Sequence, residues 1–108
     1  MARKPPASKS KFALQFDERA LGEWQRLDRA VQLQFKRKLN KLVTGKESPS
    51  PKARLSGLPN CYKIKQRKSG YRLVYQYEKN ALIILVVAVG KRERSIVYDA
   101  ARRRITAR

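Results

Sequence analysis

Nine consecutive apolar residues, Ala81-Leu-Ile-Ile-Leu-Val-Val-Ala-Val89, constrain this chain more than any other segment. A strand with one face in water alternates polar and apolar residues, whereas a strand covered on both faces reads as a continuous run. The run is far short of the roughly 20 residues a membrane helix needs. It therefore predicts a buried, central strand. Two strand-like segments precede it, Cys61–Arg67 and Tyr71–Tyr77, with turns at Ser69-Gly70 and Glu78-Lys-Asn80. Links this short make the pairs antiparallel.

The N-terminal half has helical spacing. Phe12, Leu14 and Phe16 alternate as a first strand. Asp17 follows as an N-cap, with Glu18 placed to complement the helix dipole. Ala20, Leu21, Trp24 and Leu27 form one stripe. Asp28 is the cap of a second helix whose stripe is Val31, Phe35, Leu39 and Leu42, and Gly45 is its left-handed stop. The corner between the helices is tight, which predicts a helical hairpin. Lys46 to Pro59 is a loop. Gly90 to Arg94 leaves the last strand as a loop, and Ser95 is placed to cap a short helix from Ile96 to about Arg104. The predicted order is β-α-α-β-β-β-α. That is an α+β domain with a helical hairpin packed on a mostly antiparallel four-stranded sheet and a short C-terminal helix. It covers residues 12–108, after a flexible basic tail at residues 1–11. No secretory signal is visible.

Charge narrows the partners. Against 27 Lys and Arg stand 8 Asp and Glu, for a net charge of +19 in 108 residues. A compact domain tolerates such self-repulsion best when its partner is a polyanion, with nucleic acid first. The 42% hydrophobic content argues against a wholly disordered basic chain. There is no His, which removes imidazole catalysis and imidazole metal ligands. A single Cys makes neither an internal disulfide nor a zinc site. No cofactor and no metal site is expected.

From Leu58 to Tyr77 there are five cations and no carboxylate. Alternation puts Lys63, Lys65 and Arg67 on one face. A two-residue Ser69-Gly70 loop would pair Lys68 with Tyr71, Arg67 with Arg72 and Lys65 with Val74, bringing Arg72 onto the same surface. Adjacent like charges repel, so a phosphate-binding face is the better reading than a neutral structural one. Two-metal nucleases need clustered carboxylates, and Glu78, Glu93 and Asp99 are scattered. Two readings of the residues stay open: binding only, or metal-free RNA cleavage by the 2′-OH. For cleavage, a lysine can act as base where crowded cations depress its pKa, and arginine suits the pentacoordinate phosphate.

Three segments carry a resemblance. They are Phe16-Asp-Glu-Arg-Ala-Leu-Gly-Glu-Trp24; Asn60-Cys-Tyr-Lys-Ile-Lys65 with Ser69-Gly-Tyr-Arg-Leu-Val-Tyr-Gln76; and Val89-Gly-Lys-Arg-Glu-Arg-Ser95 with Val97-Tyr98. Together they resemble the RelE family of bacterial toxins, within the wider RelE/ParE superfamily. The resemblance runs from about Phe12 to Ile105.

It implies a cytoplasmic toxin of a type II toxin–antitoxin system. Such a toxin is a ribosome-dependent endoribonuclease that cuts mRNA in the A site and inhibits translation. By position it implies that Lys63, Lys65, Arg72, Arg92 and Tyr98 are catalytic. Lys65, supported by Lys63, would activate the 2′-OH. Arg72 would stabilise the phosphate, Arg92 would assist the leaving oxygen, and Tyr98 would stack on a codon base. Arg67, Lys68 and Arg94 would contact RNA. The implied partners are mRNA on the ribosome, 16S rRNA through the basic surface, and a RelB-like antitoxin docked on apolar patches of the helical hairpin; no membrane is implied. Ser56 stands where relatives often carry Arg, so the loop around it loses a cation. The alternatives are a non-catalytic RNA- or ribosome-binding protein and a ParE-like gyrase inhibitor.

Overall fold

A computed structural model describes residues 10–106, apart from the side chain of Arg94. The basic tail therefore lies almost wholly outside the described residues. Strand β1 (Ala13–Phe16) is followed by helices α1 (Glu18–Gln25) and α2 (Arg29–Val43), strands β2 (Cys61–Gln66), β3 (Tyr71–Glu78) and β4 (Ile83–Lys91), and helix α3 (Ile96–Thr106). The sheet order is β1-β4-β3-β2. Only β1 runs parallel, to β4; the other pairs are antiparallel.

The predicted caps form. The Asp17 carboxylate accepts from the Arg19 N–H at 2.9 Å, and that of Asp28 accepts from the Ala30 N–H at 3.3 Å. Each satisfies one of the donors a helix start leaves open. Gly45 stands at φ +82°, the left-handed stop expected of it. At the corner between the helices, Gln32 Nε2 donates to the Trp24 carbonyl at 2.7 Å. Trp24 packs between Phe16 and Phe35, with ring centroids 5.6 and 6.5 Å away. Leu21, expected in the stripe, is instead 40% exposed.

The apolar run is covered on both faces. Ile84, Val86 and Val89 join Phe35, Leu39 and Leu73 beneath the helical hairpin. Val87 and Ala88 join Cys61, Val74, Val97, Ala100 and Ala101 beneath α3. Burying each large aliphatic side chain contributes about 1.5–3 kcal/mol. A register shift between Val74 and Tyr75 leaves Val87 between the partners Val86 and Ala88. The strand bends there, as an extra residue in one strand requires.

Strand β1 ends opposite Val86, so the next backbone groups of β4 lose their neighbour. Side chains replace it. Glu23 on α1 accepts from the Val89 N–H at 3.0 Å, and Arg104 on α3 donates to the Val87 carbonyl at 2.9 Å. The two side chains also form a bidentate pair, both bonds 2.9 Å. One ion pair therefore ties α1, β4 and α3 together across the sheet edge. Glu23's hydrogen bonds hold the Arg104 guanidinium above its ordinary pKa, so it stays charged at any physiological pH.

Three expectations need correction. Strand β4 continues through Gly90 and Lys91, which pair with Arg72 and Tyr71. Ser95 does not have the extended backbone of an N-cap; it lies at φ +57° and closes a 3₁₀ turn over Glu93–Ser95. The β2–β3 register also differs. Lys65 faces Arg72 and Gln66 faces Tyr71, so the connection is the four residues Arg67–Gly70. Gln66 is the cause. Its carbonyl accepts from the Gly70 N–H at 3.0 Å, and its Oε1 accepts from the Ser69 N–H and Oγ at 3.1 and 3.0 Å. Its Nε2 donates to Gln34 on α2. A buried amide satisfied in this way fixes the turn. The slip is two residues, not one, so every side chain keeps its predicted face.

Candidate active site

The site is a cationic face of the sheet on the side covered by α3. Lys65 and Arg72 stand directly opposite each other across β2 and β3. Arg72 is buried, 8% exposed, and its Nη1 donates to the neighbouring Tyr71 carbonyl at 3.0 Å. Lys65 is exposed. Opposed like charges on a strand pair are destabilising. Among the described residues the ion pairs are Arg19–Asp17, Lys41–Glu47, Arg102–Asp99 and Arg104–Glu23, and none reaches this face. The cations stand unneutralised, which is the state an incoming phosphate requires.

Two residues before Lys65, half-buried Lys63 places its Nζ 5.9 Å from the ring centroid of Tyr98, the third residue of α3. That is within reach of a cation–π contact. Arg92 follows β4 and is exposed. Its backbone N–H donates to the Gly70 carbonyl at 3.1 Å, which pins the loop after β4 to the β2–β3 turn. The same turn carries Arg67 and Lys68, both exposed. Arg94 lies on the 3₁₀ turn by its backbone, and its side chain is outside the described part of the structure. The structure therefore gathers four of the five expected catalytic residues on one face of β2, β3 and α3, with Arg92 held at its turn end.

Among the described residues no three Cys, Asp or Glu side chains come together in a way that could hold a metal ion. The groups that do gather are amines, guanidiniums and a phenol. They can bind a phosphodiester, stabilise added charge on it, and exchange a proton. Among the described helices none is long and apolar enough to cross a membrane.

Sequence reasoning passes over three features. Gln66 has no signal of its own, since a glutamine inside a strand run looks like a solvated residue. Lys91 falls in a segment that reads as a loop, yet its ammonium lies 4.9 Å from the Tyr71 ring centroid. The Glu23–Arg104 pair joins residues far apart in the chain.

Comparison with known proteins agrees with this geometry. Residues 14–96 match the family described as the ParE toxin of the type II toxin–antitoxin system parDE. A RelE-like toxin protein of Escherichia coli is 54% identical over 95 residues, covering 88% of this chain and 98% of that protein. The mRNA interferase toxin RelE of Escherichia coli K12 is 52% identical, covering 87% of this chain and 97% of its own length. A structure of a mutant E. coli RelE in the free state superposes with a TM-score of 0.78 at 45% identity, over 88% of this chain and 98% of that one. The toxin in the intact E. coli RelBE toxin–antitoxin complex gives 0.69 at 46% identity, over 77% of this chain and 99% of that one.

Proposed function

The chain belongs to the ParE/RelE family of type II toxins, and from that membership and its cationic face we propose a mechanism in which it cuts mRNA on the ribosome without a metal ion. It is a toxin of a type II toxin–antitoxin system and an mRNA interferase. The family model carries the ParE name, but the relatives at 52% identity and above are RelE-like, and two of them are named mRNA interferases. The observation that carries the mechanism is Lys65 facing Arg72 on a surface free of neutralising carboxylates among the described residues.

Lys65, with Lys63 beside it, accepts the proton of the 2′-OH when its side chain is in the neutral amine form. The 2′-oxygen attacks phosphorus and the bond to the 5′-oxygen breaks, leaving a 2′,3′-cyclic phosphate. Arg72 holds the charge that builds on the phosphoryl oxygens, and its burial keeps the donor fork fixed in a medium less polar than water. Arg92 pairs with the charge on the departing 5′-oxygen, which takes up a proton from solvent water to leave as a 5′-OH. Tyr98 stacks on a base and keeps the sugar-phosphate over Lys63. Arg67, Lys68 and Arg94 attract neighbouring phosphates. The face is open, with Lys65 and Arg92 in solvent, so the protein alone holds RNA in no single pose. The ribosomal A site supplies that pose, and proximity of this kind is worth several kcal/mol of the barrier. Such a site of action places the toxin in the cytoplasm.

A RelB-like antitoxin is its partner. Exposed Leu14 and Leu33 flank an apolar groove of about 430 Å³ between β1 and α2, rimmed by Lys36 and Arg37. This groove fits an apolar antitoxin segment with acidic flanks.

Primer extension tests the ribosome dependence. Purified toxin should produce codon-phased cuts in mRNA on programmed ribosomes and none in the same RNA free in solution. Absence of cuts under both conditions, with inhibition of purified gyrase instead, would establish the ParE-like alternative.

A further inference from the structure

Beside the open edge of β2, on the far side from α3, lies a cleft of about 450 Å³ between α2 and the loop after it. Its charged lining consists of Lys38, Lys52, Lys63, Lys65, Arg67 and Glu47. The one carboxylate among these is already engaged, with Glu47 3.7 Å from the Lys41 ammonium. The volume is in the range of sites that take a small organic ligand. Strand β2 is the last in the sheet, and beyond its pairing with β3 the described residues add one isolated β-bridge, between Arg54 and Tyr62. Past Tyr62 the edge is open.

Lys63 and Lys65 belong to two surfaces at once. By strand alternation they face α3, where Lys63 reaches Tyr98. They also line the cleft that wraps the edge of β2. A polyanion lying on the first surface meets no barrier of opposite sign before the second, and Lys38 and Lys52 then present further positive charge. Neither Lys38 nor Lys52 belongs to the proposed chemistry.

We propose that the message strand being cut crosses the open edge of β2 and enters this cleft, where Lys38, Lys52 and Arg67 hold a phosphodiester next to the cleaved one. This rests on the interferase reading above. It gives the substrate a path, from Tyr98 over Lys63 and Lys65 and onward between α2 and the 46–59 loop. Grooves that track single strands combine such a line of cations with little base readout.

The test uses full-length toxin on programmed ribosomes. The double variant Lys38→Ala/Lys52→Ala should raise KM roughly tenfold at unchanged kcat, and flatten the log–log salt dependence of kcat/KM by about one, for the single phosphate the two lysines share. Lys38→Arg/Lys52→Arg should restore both. Arg29→Ala/Lys79→Ala, with the same reduction of charge at exposed positions elsewhere, should alter neither. A message carrying a neutral methylphosphonate beside the scissile phosphate should weaken the wild type and leave the double variant no weaker than before. A double variant with wild-type KM and salt slope overturns the proposal. So does a weakened variant that no message methylphosphonate mimics, which would assign the cleft to ribosomal RNA. A variant that cuts normally but escapes neutralisation by antitoxin would assign it to that protein. Failure of the interferase reading itself is distinct, because the wild type would then cut nothing.

Discussion

Alanine at Lys65 or at Arg72 should lower single-turnover mRNA cleavage on programmed ribosomes by about a hundred- to ten-thousand-fold, the range for a positioned base or for a fixed donor to developing charge. The fold should not weaken in step. The two residues face each other across a strand pair, and no ion pair among the described residues neutralises either of them. Removing either relieves repulsion. Lys65→Ala should therefore match or exceed the wild type in melting temperature while losing activity, the trade expected where a site is kept at the expense of stability. Arg72→Lys separates charge from geometry. It keeps the cation and loses the planar fork, so it should recover binding to the ribosome but little of the rate. Paired thermal melts and cleavage rates read both effects. A Lys65→Ala protein that melts far below the wild type would assign this face a structural role instead.

The largest effect on stability should come from the opposite kind of pair. Arg104 and Glu23 have side chains 11% and 23% exposed, joined by two bonds of 2.9 Å. Each also satisfies a backbone group of β4 that β1 is too short to reach. Arg104→Ala leaves the Glu23 charge half-buried and the Val87 carbonyl without this donor. The expected cost is about 2–4 kcal/mol, somewhat below the figure for a wholly buried pair because water still reaches Glu23. For a domain of this size that lowers the melting temperature by roughly 10–20 °C. Glu23→Gln should cost less, since an amide oxygen still accepts from Val89. Thermal denaturation at two salt concentrations checks this. A loss below about 1 kcal/mol would rank the pair with ordinary surface bridges.

These two pairs show what a sequence discloses about this fold. The sheet is legible because its signals are local. The run at residues 81–89 demands cover on both faces, and Asp17, Asp28 and Gly45 mark the helix ends at short range. The cationic face is legible for a related reason. Alternation fixes which residues share a face, and the two-residue slip set by Gln66 preserves that parity while changing the partners. The slip itself is illegible, because the turn is held by a glutamine amide reaching forward to Ser69 and across to Gln34 on α2. Arg92 is legible only through family resemblance. Its placement comes from one backbone bond to Gly70 in a different turn. The Glu23–Arg104 pair and the β2-edge cleft depend on which helix lies over which strand, and no local spacing encodes that.

The central claim is that the RNA's own 2′-OH is the nucleophile and that these cations and Tyr98 only assist it. A message with a single 2′-deoxy sugar at the nucleotide preceding the cut tests this most directly, loaded on ribosomes with wild-type toxin under single-turnover conditions. The expected result is uncut message at that position, with unchanged toxin binding, and a 2′,3′-cyclic phosphate end on the all-ribose control. Cleavage of the deoxy message at a rate near that of the control would contradict it, since the attacking oxygen would then have to come from water.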